Sequence, residues 1–182
     1  MNILEIFTNS ILLIITLDNE LWDIILLSLF VSFTALIIAS LLGFIVGYYF
    51  AIYNFYFKKI ILIIINSLMG IPPVVVGLIV YFIFASGGPL GILQLLYTPS
   101  AMIIAQTIII FPIIASLSHE IFSKNWFEFK DQIRSLNIPF WGSVKLLFNH
   151  SYFLLITTLL SAFGRAISEV GAVMIVGGNI DH

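Results

Sequence analysis

The sequence contains no cysteine and very few charged residues. The absence of cysteine excludes disulfide bonds, thiol catalysis and metal sites built from thiolates. Aspartate, glutamate, lysine and arginine together account for 9% of the 182 residues, whereas hydrophobic residues account for 61%. Because about a quarter of the residues in a soluble domain are charged, this composition excludes an ordinary soluble protein.

Three long stretches contain no charged side chain at all: 24–57, 60–118 and 151–164. A helix needs about 20 apolar residues to cross a bilayer, and the alternation typical of barrel strands is absent. The sequence therefore predicts an all-α integral membrane protein with a single transmembrane domain over residues 1–182. A shorter apolar run, Ile11–Leu17, predicts an interfacial or partly inserted segment. The predicted spans are about 21–50, 60–84, 100–118 and 152–176.

The basic residues lie almost entirely in two of the segments that connect these spans. Lys58 and Lys59 fall between the first and second spans, whereas segment 85–99 and both chain ends contain no lysine or arginine. Because cytoplasmic loops carry an excess of basic residues, segment 119–150 is predicted to be cytoplasmic, and both termini to face outward. Four basic residues lie in this segment: Lys124, Lys130, Arg134 and Lys145.

Segment 119–150 is predicted to form two short amphipathic helices. Asn137 tolerates the left-handed conformation that ends a helix, and Pro139 suits the first turn of the next one. Two interpretations are open from the residues alone: a compact knob that binds a partner, or a pair of helices lying on the membrane. The apolar faces comprise Phe122, Trp126, Phe129, Ile133 and Leu136 in the first helix, and Phe140, Trp141, Val144, Leu147 and Phe148 in the second.

The chain also lacks the residues that an enzyme of this size would need. It has no GxxxxGK[ST] phosphate-binding loop and no set of nucleophile, base and orienting residue. It is therefore not expected to be catalytic, and any ATP hydrolysis would belong to another chain. Its three histidines are scattered near span ends and are interpreted as interfacial residues, so no metal site is predicted.

Two charged residues lie inside the fourth span, one helical turn apart: Arg165 and Glu169. A charge at the bilayer centre costs about 2.5–3.5 kcal/mol and usually faces the interior of a helix bundle. In one interpretation this face, with Ser168, lines a passage in which Arg165 attracts an oxyanion and Glu169 orients it or closes a gate. In the other, the two residues form a structural pair within the helix.

Two prolines, Pro72 and Pro73, interrupt the second span. Each removes a backbone N–H donor, and such a break is tolerated in a bilayer only beside protein or a wet cavity. The prolines therefore indicate a translocation path, and the alternative is a simple packing kink. Four spans are too few to enclose such a path, so a twofold homodimer is predicted.

Segment 122–148 resembles the EAA loop of binding-protein-dependent ABC importer permeases, in which Glu-Ala-Ala is followed four residues later by Gly. Asp131 stands at the Glu, Gln132 and Ile133 stand at the two Ala, and Asn137 stands at the Gly. The resemblance implies that these residues, with Arg134, form a coupling helix that docks in a groove on the ATPase subunit.

Four further stretches are similar, in order and spacing, to permeases for tungstate and molybdate, and the last is most similar to the tungstate branch. They are GIPPVVVGL (70–78), GGPLG (87–91), TPSAMIIAQTIIIFP (98–112) and GRAISEVGAVMIVGGNI (164–180). The resemblance implies a type I ABC importer permease-like helical bundle with a cytoplasmic coupling-helix loop. The implied function is import of an oxyanion, tungstate above all, across the inner membrane of a prokaryotic cell. Because family members continue into a further span, a final C-terminal span is expected to be missing here.

The resemblance also implies a set of partners. These are cytoplasmic ATPase subunits, which would bind ATP and Mg²⁺, and an extracytoplasmic oxyanion-binding protein, with the lipid bilayer around the homodimer. No cofactor is expected in this chain, and no nucleic acid. The alternatives are a molybdate or sulfate permease of the same architecture or, from a different class, a non-ABC membrane channel or scaffold.

Overall fold

The structure, a computed structural model, describes residues 19–178, and in that range every regular element is helical. The apolar run at 11–17 lies outside the described residues. The elements are α1 (Asn19–Ile52), α2 (Lys58–Leu68), α3 (Pro73–Phe84), a short 3-10 helix (Gly91–Leu93), α4 (Pro99–Ser135), α5 (Phe140–Ser168) and α6 (Val170–Gly177).

Three of these helices, α1, α4 and α5, are long and apolar enough to cross a membrane, and α2 with α3 adds a fourth crossing if the bent pair counts as one span. The predicted all-helical membrane fold is therefore confirmed, and the chain is a multi-pass membrane protein. The long helices form because their apolar residues satisfy every backbone hydrogen bond within the helix, as a bilayer requires.

α1 packs against α4 along a face of small residues. Ala35 and Ala39 are fully buried, and a methyl group added to Gly43 would lie 2.8 Å from Cγ2 of Ile114 on α4. The absence of a side chain on Gly43 and Gly47 lets the two backbones approach closely, as small residues do between membrane helices.

The second predicted span, 60–84, is not one straight helix. α2 and α3 meet at an angle of 102° across residues 69–72. Pro72 precedes α3 and Pro73 occupies its first position, where the missing N–H costs nothing. The interruption predicted from the two prolines is confirmed, and we call residues 69–72 the elbow.

The segment predicted as a loop at 119–150 differs from the expectation of two short separate helices. α4 continues without interruption from Pro99 to Ser135, and α5 begins at Phe140. The hydropathy of the sequence changes near residue 118, but no glycine or proline occurs between Ile113 and Ile138 to end the helix. Only residues 136–139 separate the two long helices.

The fourth predicted span, 152–176, also contains a break. α5 ends at Ser168, Glu169 adopts φ −90° and ψ 75°, and α6 follows. α6 packs closely on α3, since a methyl group added to Gly77 would lie 2.9 Å from Cα of Ala172. The short helices α3 and α6 thus lie side by side, each joined to the rest of the bundle through a break.

Candidate functional site

The elbow, α4 and α5 surround a pocket of about 280 Å³. Its wall is apolar except for Thr107 of α4 and Arg165 of α5. Pro72 and Pro73, which were predicted to interrupt the second span, shape the elbow but do not line the pocket. The lining residues are Leu42, Leu68, Met69, Ile71, Val76, Thr107, Ile108, Ile109, Phe111, Pro112 and Arg165.

The end of α2 that leads into the elbow is tied to α4 by a hydrogen bond. The Ser116 hydroxyl on α4 donates to Oδ1 of Asn66, near the end of α2, over 2.6 Å. On the other side of the elbow, Val76 brings the first turn of α3 to the pocket. The N-terminal end of a helix carries partial positive charge, so both Arg165 and the start of α3 contribute positive potential there.

Arg165 and Glu169 form an ion pair that spans the break between α5 and α6. Nε of Arg165 lies 2.7 Å from Oε1 of Glu169. The Arg165 side chain is 40% exposed and that of Glu169 is 12% exposed, so the carboxylate is the more enclosed partner. A guanidinium has five N–H donors, so pairing through Nε leaves donors that an anion could contact.

Ser168 lies on the same turn as Arg165. Its hydroxyl donates to the Arg165 carbonyl over 2.9 Å, which satisfies one of the carbonyls exposed where α5 ends. The structure therefore brings Arg165, Ser168 and Glu169 together at the break. Met69 and Ile71 of the elbow line the same pocket as Arg165, whereas Pro72 and Pro73 do not line it.

The turn at the end of α4 has the geometry that the sequence predicted. Asn137 has φ 48°, its N–H donates to the Arg134 carbonyl, and the Ile138 N–H donates to the Ile133 carbonyl. These two bonds form the Schellman arrangement that satisfies carbonyls at a helix end. The prediction of a left-handed residue at Asn137 is confirmed.

The proposed coupling residues do not all face outward. Asp131, Gln132, Arg134 and Asn137 are exposed, whereas Ile133 is 5% exposed and packs within the chain. Ile133 therefore anchors the helix end and leaves contact with a partner to the other four.

Three large apolar side chains in segment 119–150 are strongly exposed: Phe127 on α4, Leu136 in the turn and Trp141 on α5. Leu136 and Trp141 belong to the apolar faces predicted from the sequence, whereas Phe127 does not. We call these residues the tip patch. Lys130 places Nζ 4.6 Å from the centre of the Phe127 ring, so the patch combines apolar area with positive charge. The sequence pattern showed which apolar residues share a helix face, but it did not show which of these residues the neighbouring helices cover.

Gln106 is a second residue whose role the sequence did not reveal. It is 4% exposed, and its Nε2 donates to the Ala166 carbonyl over 3.2 Å. Its one signal in the sequence was a long polar side chain within the uncharged stretch 60–118. Within the described part of the chain, no group of three or more acidic or histidine side chains is placed to hold a metal ion.

The chain is similar over most of its length to curated transport proteins, although no protein-family model matches it. It is 39% identical over 178 residues to the tungstate uptake system permease protein TupB of Peptoclostridium acidaminophilum, covering 98% of this chain and 78% of that protein. It is 38% identical to a probable anion ABC transporter permease protein of Haloferax volcanii, covering 84% of this chain and 66% of the relative. It is 37% identical to TupB of Campylobacter jejuni, covering 71% of this chain and 54% of the relative. The chain therefore belongs to the family of ABC transporter permease proteins that includes the tungstate uptake permeases.

Proposed function

We propose that the chain is the membrane-spanning subunit of an ABC transporter that imports an oxyanion, specifically tungstate. The observation that carries this proposal is 39% identity over 98% of the chain to a permease named for tungstate uptake. A second relative named for tungstate and one named for an anion support the same substrate class.

The transporter would be assembled from several chains. Because this sequence has no phosphate-binding loop, ATP and Mg²⁺ would bind to separate ATPase subunits. An extracytoplasmic binding protein would deliver the oxyanion, and two copies of the chain would enclose the path around a twofold axis. The chain would lie in the inner membrane of a prokaryotic cell, with segment 119–150 in the cytoplasm.

The tip patch and the four exposed coupling residues would form the surface on which the ATPase docks. Large exposed apolar side chains at a polar end of a membrane protein mark a site of protein contact. Exposed Asp131 and Arg134 would add directional charge contacts at the rim, which set orientation. The continuous helices α4 and α5 would carry movement of the tip toward the pocket.

The passage would run past the break in the fourth span. Arg165 would attract the oxyanion, Ser168 and Glu169 would lie beside it, and the elbow shaped by Pro72 and Pro73 would form the facing wall. Discontinuous helices whose ends face the substrate are typical of transporter sites, which favours the passage interpretation over a purely structural ion pair.

The proposal is tested by co-purification from the cells that make the transporter. The intact chain is expected to hold an ATP-hydrolysing partner in detergent, and Asp131→Arg is expected to release it because the substitution reverses the charge at the docking surface. Asp131→Glu is the matched control, because it keeps the carboxylate at the same position.

Retention of the partner by Asp131→Arg would contradict the coupling role of this residue. Purification of the intact chain with no ATP-hydrolysing partner at all would instead favour a channel or scaffold.

A further inference from the structure

The break between α5 and α6 leaves backbone carbonyl groups in need of partners. At the end of a helix the last carbonyls have no regular donor, and an unsatisfied carbonyl is costly inside a membrane protein. The Ser168 hydroxyl donates to the Arg165 carbonyl. The next carbonyl, that of Ala166, receives a long contact of 3.4 Å from the Glu169 N–H.

Gln106 supplies the missing donor from another helix. Its side chain, on α4, reaches across to the Ala166 carbonyl over 3.2 Å. The amide is 4% exposed, and its Oε1 has no hydrogen-bond partner among the described residues. Among the described residues, the bond to Ala166 is thus the polar contact that orients this side chain, and it fastens the break to α4.

The position of this bond connects it with the pocket. Ala166 follows Arg165 directly, and Gln106 precedes Thr107, and both Arg165 and Thr107 line the pocket. A shift of the break relative to α4 would therefore move the guanidinium relative to the pocket wall. The Arg165–Glu169 pair spans the same break, so any loosening there would also alter its geometry.

We propose that Gln106 is a positioning residue that holds the α5–α6 break against α4 and thereby sets where Arg165 stands in the pocket. The expected effect on uptake rests on the proposed passage at Arg165. The expected effect on the geometry of the break does not depend on that passage. Without this bond, α6 and the end of α5 change their relative direction, because Glu169 is not in a helical conformation.

The inference is tested by measuring the distance between two spin labels on either side of the break. The chain has no cysteine, so Thr157→Cys on α5 and Met174→Cys on α6, both exposed positions, place the two nitroxides without removing native thiols. Labelled chain is diluted with unlabelled chain in the assembled transporter so that each measured distance lies within one chain.

The parent chain is expected to give a single narrow distance between the labels. Gln106→Met keeps the side-chain length but removes the hydrogen-bond donor, so the distance is expected to become broad. Gln106→Asn keeps the amide but is one methylene shorter, and the same broadening is expected; it decides the question if Gln106→Met does not fold. The matched control is Thr107→Val, which removes a hydroxyl that has no hydrogen-bond partner in the described chain and is expected to keep the narrow distance.

Uptake provides a second measurement on Gln106→Asn. The maximal rate is expected to fall while KM for the loaded binding protein stays unchanged, because the outer surface is untouched. A narrow distance retained in the folded Gln106 variants overturns the positioning role. A changed distance with unchanged uptake upholds that role and contradicts the proposed passage at Arg165.

Discussion

At the residue scale, the structure shows a difference between Arg165 and Glu169 that their spacing in the sequence did not predict. The spacing of four residues predicted a pair on one helix face, and the ion pair confirms that the two side chains meet. The helix itself ends between them, so the pair connects α5 to the start of α6. The arginine is the more exposed partner at the pocket, and the glutamate is the more enclosed one.

Two substitutions distinguish a passage from a structural pair. Arg165→Gln is expected to slow uptake by about 10- to 100-fold, since a hydrogen bond to a charged group contributes about 1.5–3 kcal/mol. Glu169→Gln breaks the same ion pair but keeps the cation that attracts the anion, so it is expected to slow uptake much less. The measurement is oxyanion uptake by assembled complexes of equal abundance. Equal losses in both variants would indicate that the pair is structural.

Replacement by alanine is expected to affect stability differently at two glycines, Gly47 and Gly164. A methyl group on Gly47 would lie 2.9 Å from the backbone nitrogen of His119 on α4, whereas one on Gly164 meets nothing within 4 Å. Gly47→Ala is therefore expected to destabilise the bundle by about 1–3 kcal/mol through overpacking. Gly164→Ala is expected to be neutral or slightly stabilising, because alanine favours a helix interior.

Thermal unfolding of the two purified glycine variants in detergent measures this difference as a change in Tm relative to the parent. A similar Tm for both variants would show that α1 can move away from α4 at little cost.

At the element scale, an aromatic cluster joins the long helices at the end opposite the 3-10 helix. The rings of Tyr48 and Phe122 meet edge to face at 5.6 Å, and Phe122 also contacts Phe148 at 4.9 Å. The Tyr48 hydroxyl lies 3.1 Å from that of Ser143. Each long helix supplies at least one of these residues, so α1 holds the ends of α4 and α5 that lead to the tip patch.

Phe122→Ala is expected to destabilise the chain by about 3–5 kcal/mol, because Phe122 is fully buried and its loss leaves a cavity. Phe127→Ala, five residues further along α4, is the control: its ring is 75% exposed, and its removal leaves no cavity. The measurement is the Tm of each purified variant without ATPase subunits. An unchanged Tm in Phe122→Ala would contradict the anchoring role of the cluster.

The elements differ in how well the sequence predicted them. The two prolines were enough to predict the elbow. The tolerance of asparagine for positive φ was enough to predict the turn at Asn137. The break at Glu169 could not be predicted, because neither proline nor glycine occupies that position. The Ala166 carbonyl beside the break accepts a hydrogen bond from Gln106, which is 60 residues away in sequence. The length of α4 was missed because hydropathy predicts where a membrane ends, whereas a helix ends where its backbone hydrogen bonding does.

At the scale of the whole molecule, charge and exposure together predict which end of the bundle faces the cytoplasm. Six of the seven basic residues lie in segments 58–59 and 119–150, and segment 85–99 has none. The tip patch lies in the basic segment, at the opposite end of α4 from the 3-10 helix. Basic segments stay in the cytoplasm, so the tip patch should be inside the cell and the 3-10 helix outside.

Single cysteines test this orientation directly, since the chain has none of its own. Trp141→Cys and Ile92→Cys place thiols at positions that are 78% and 95% exposed, so both should react wherever a reagent can reach them. A membrane-impermeant thiol reagent is expected to label Ile92→Cys in intact cells and to label Trp141→Cys only in inverted vesicles stripped of peripheral proteins. Labelling of Trp141→Cys in intact cells would place the tip patch outside. An ATPase in the cytoplasm could not dock there, and the proposed import mechanism would be wrong.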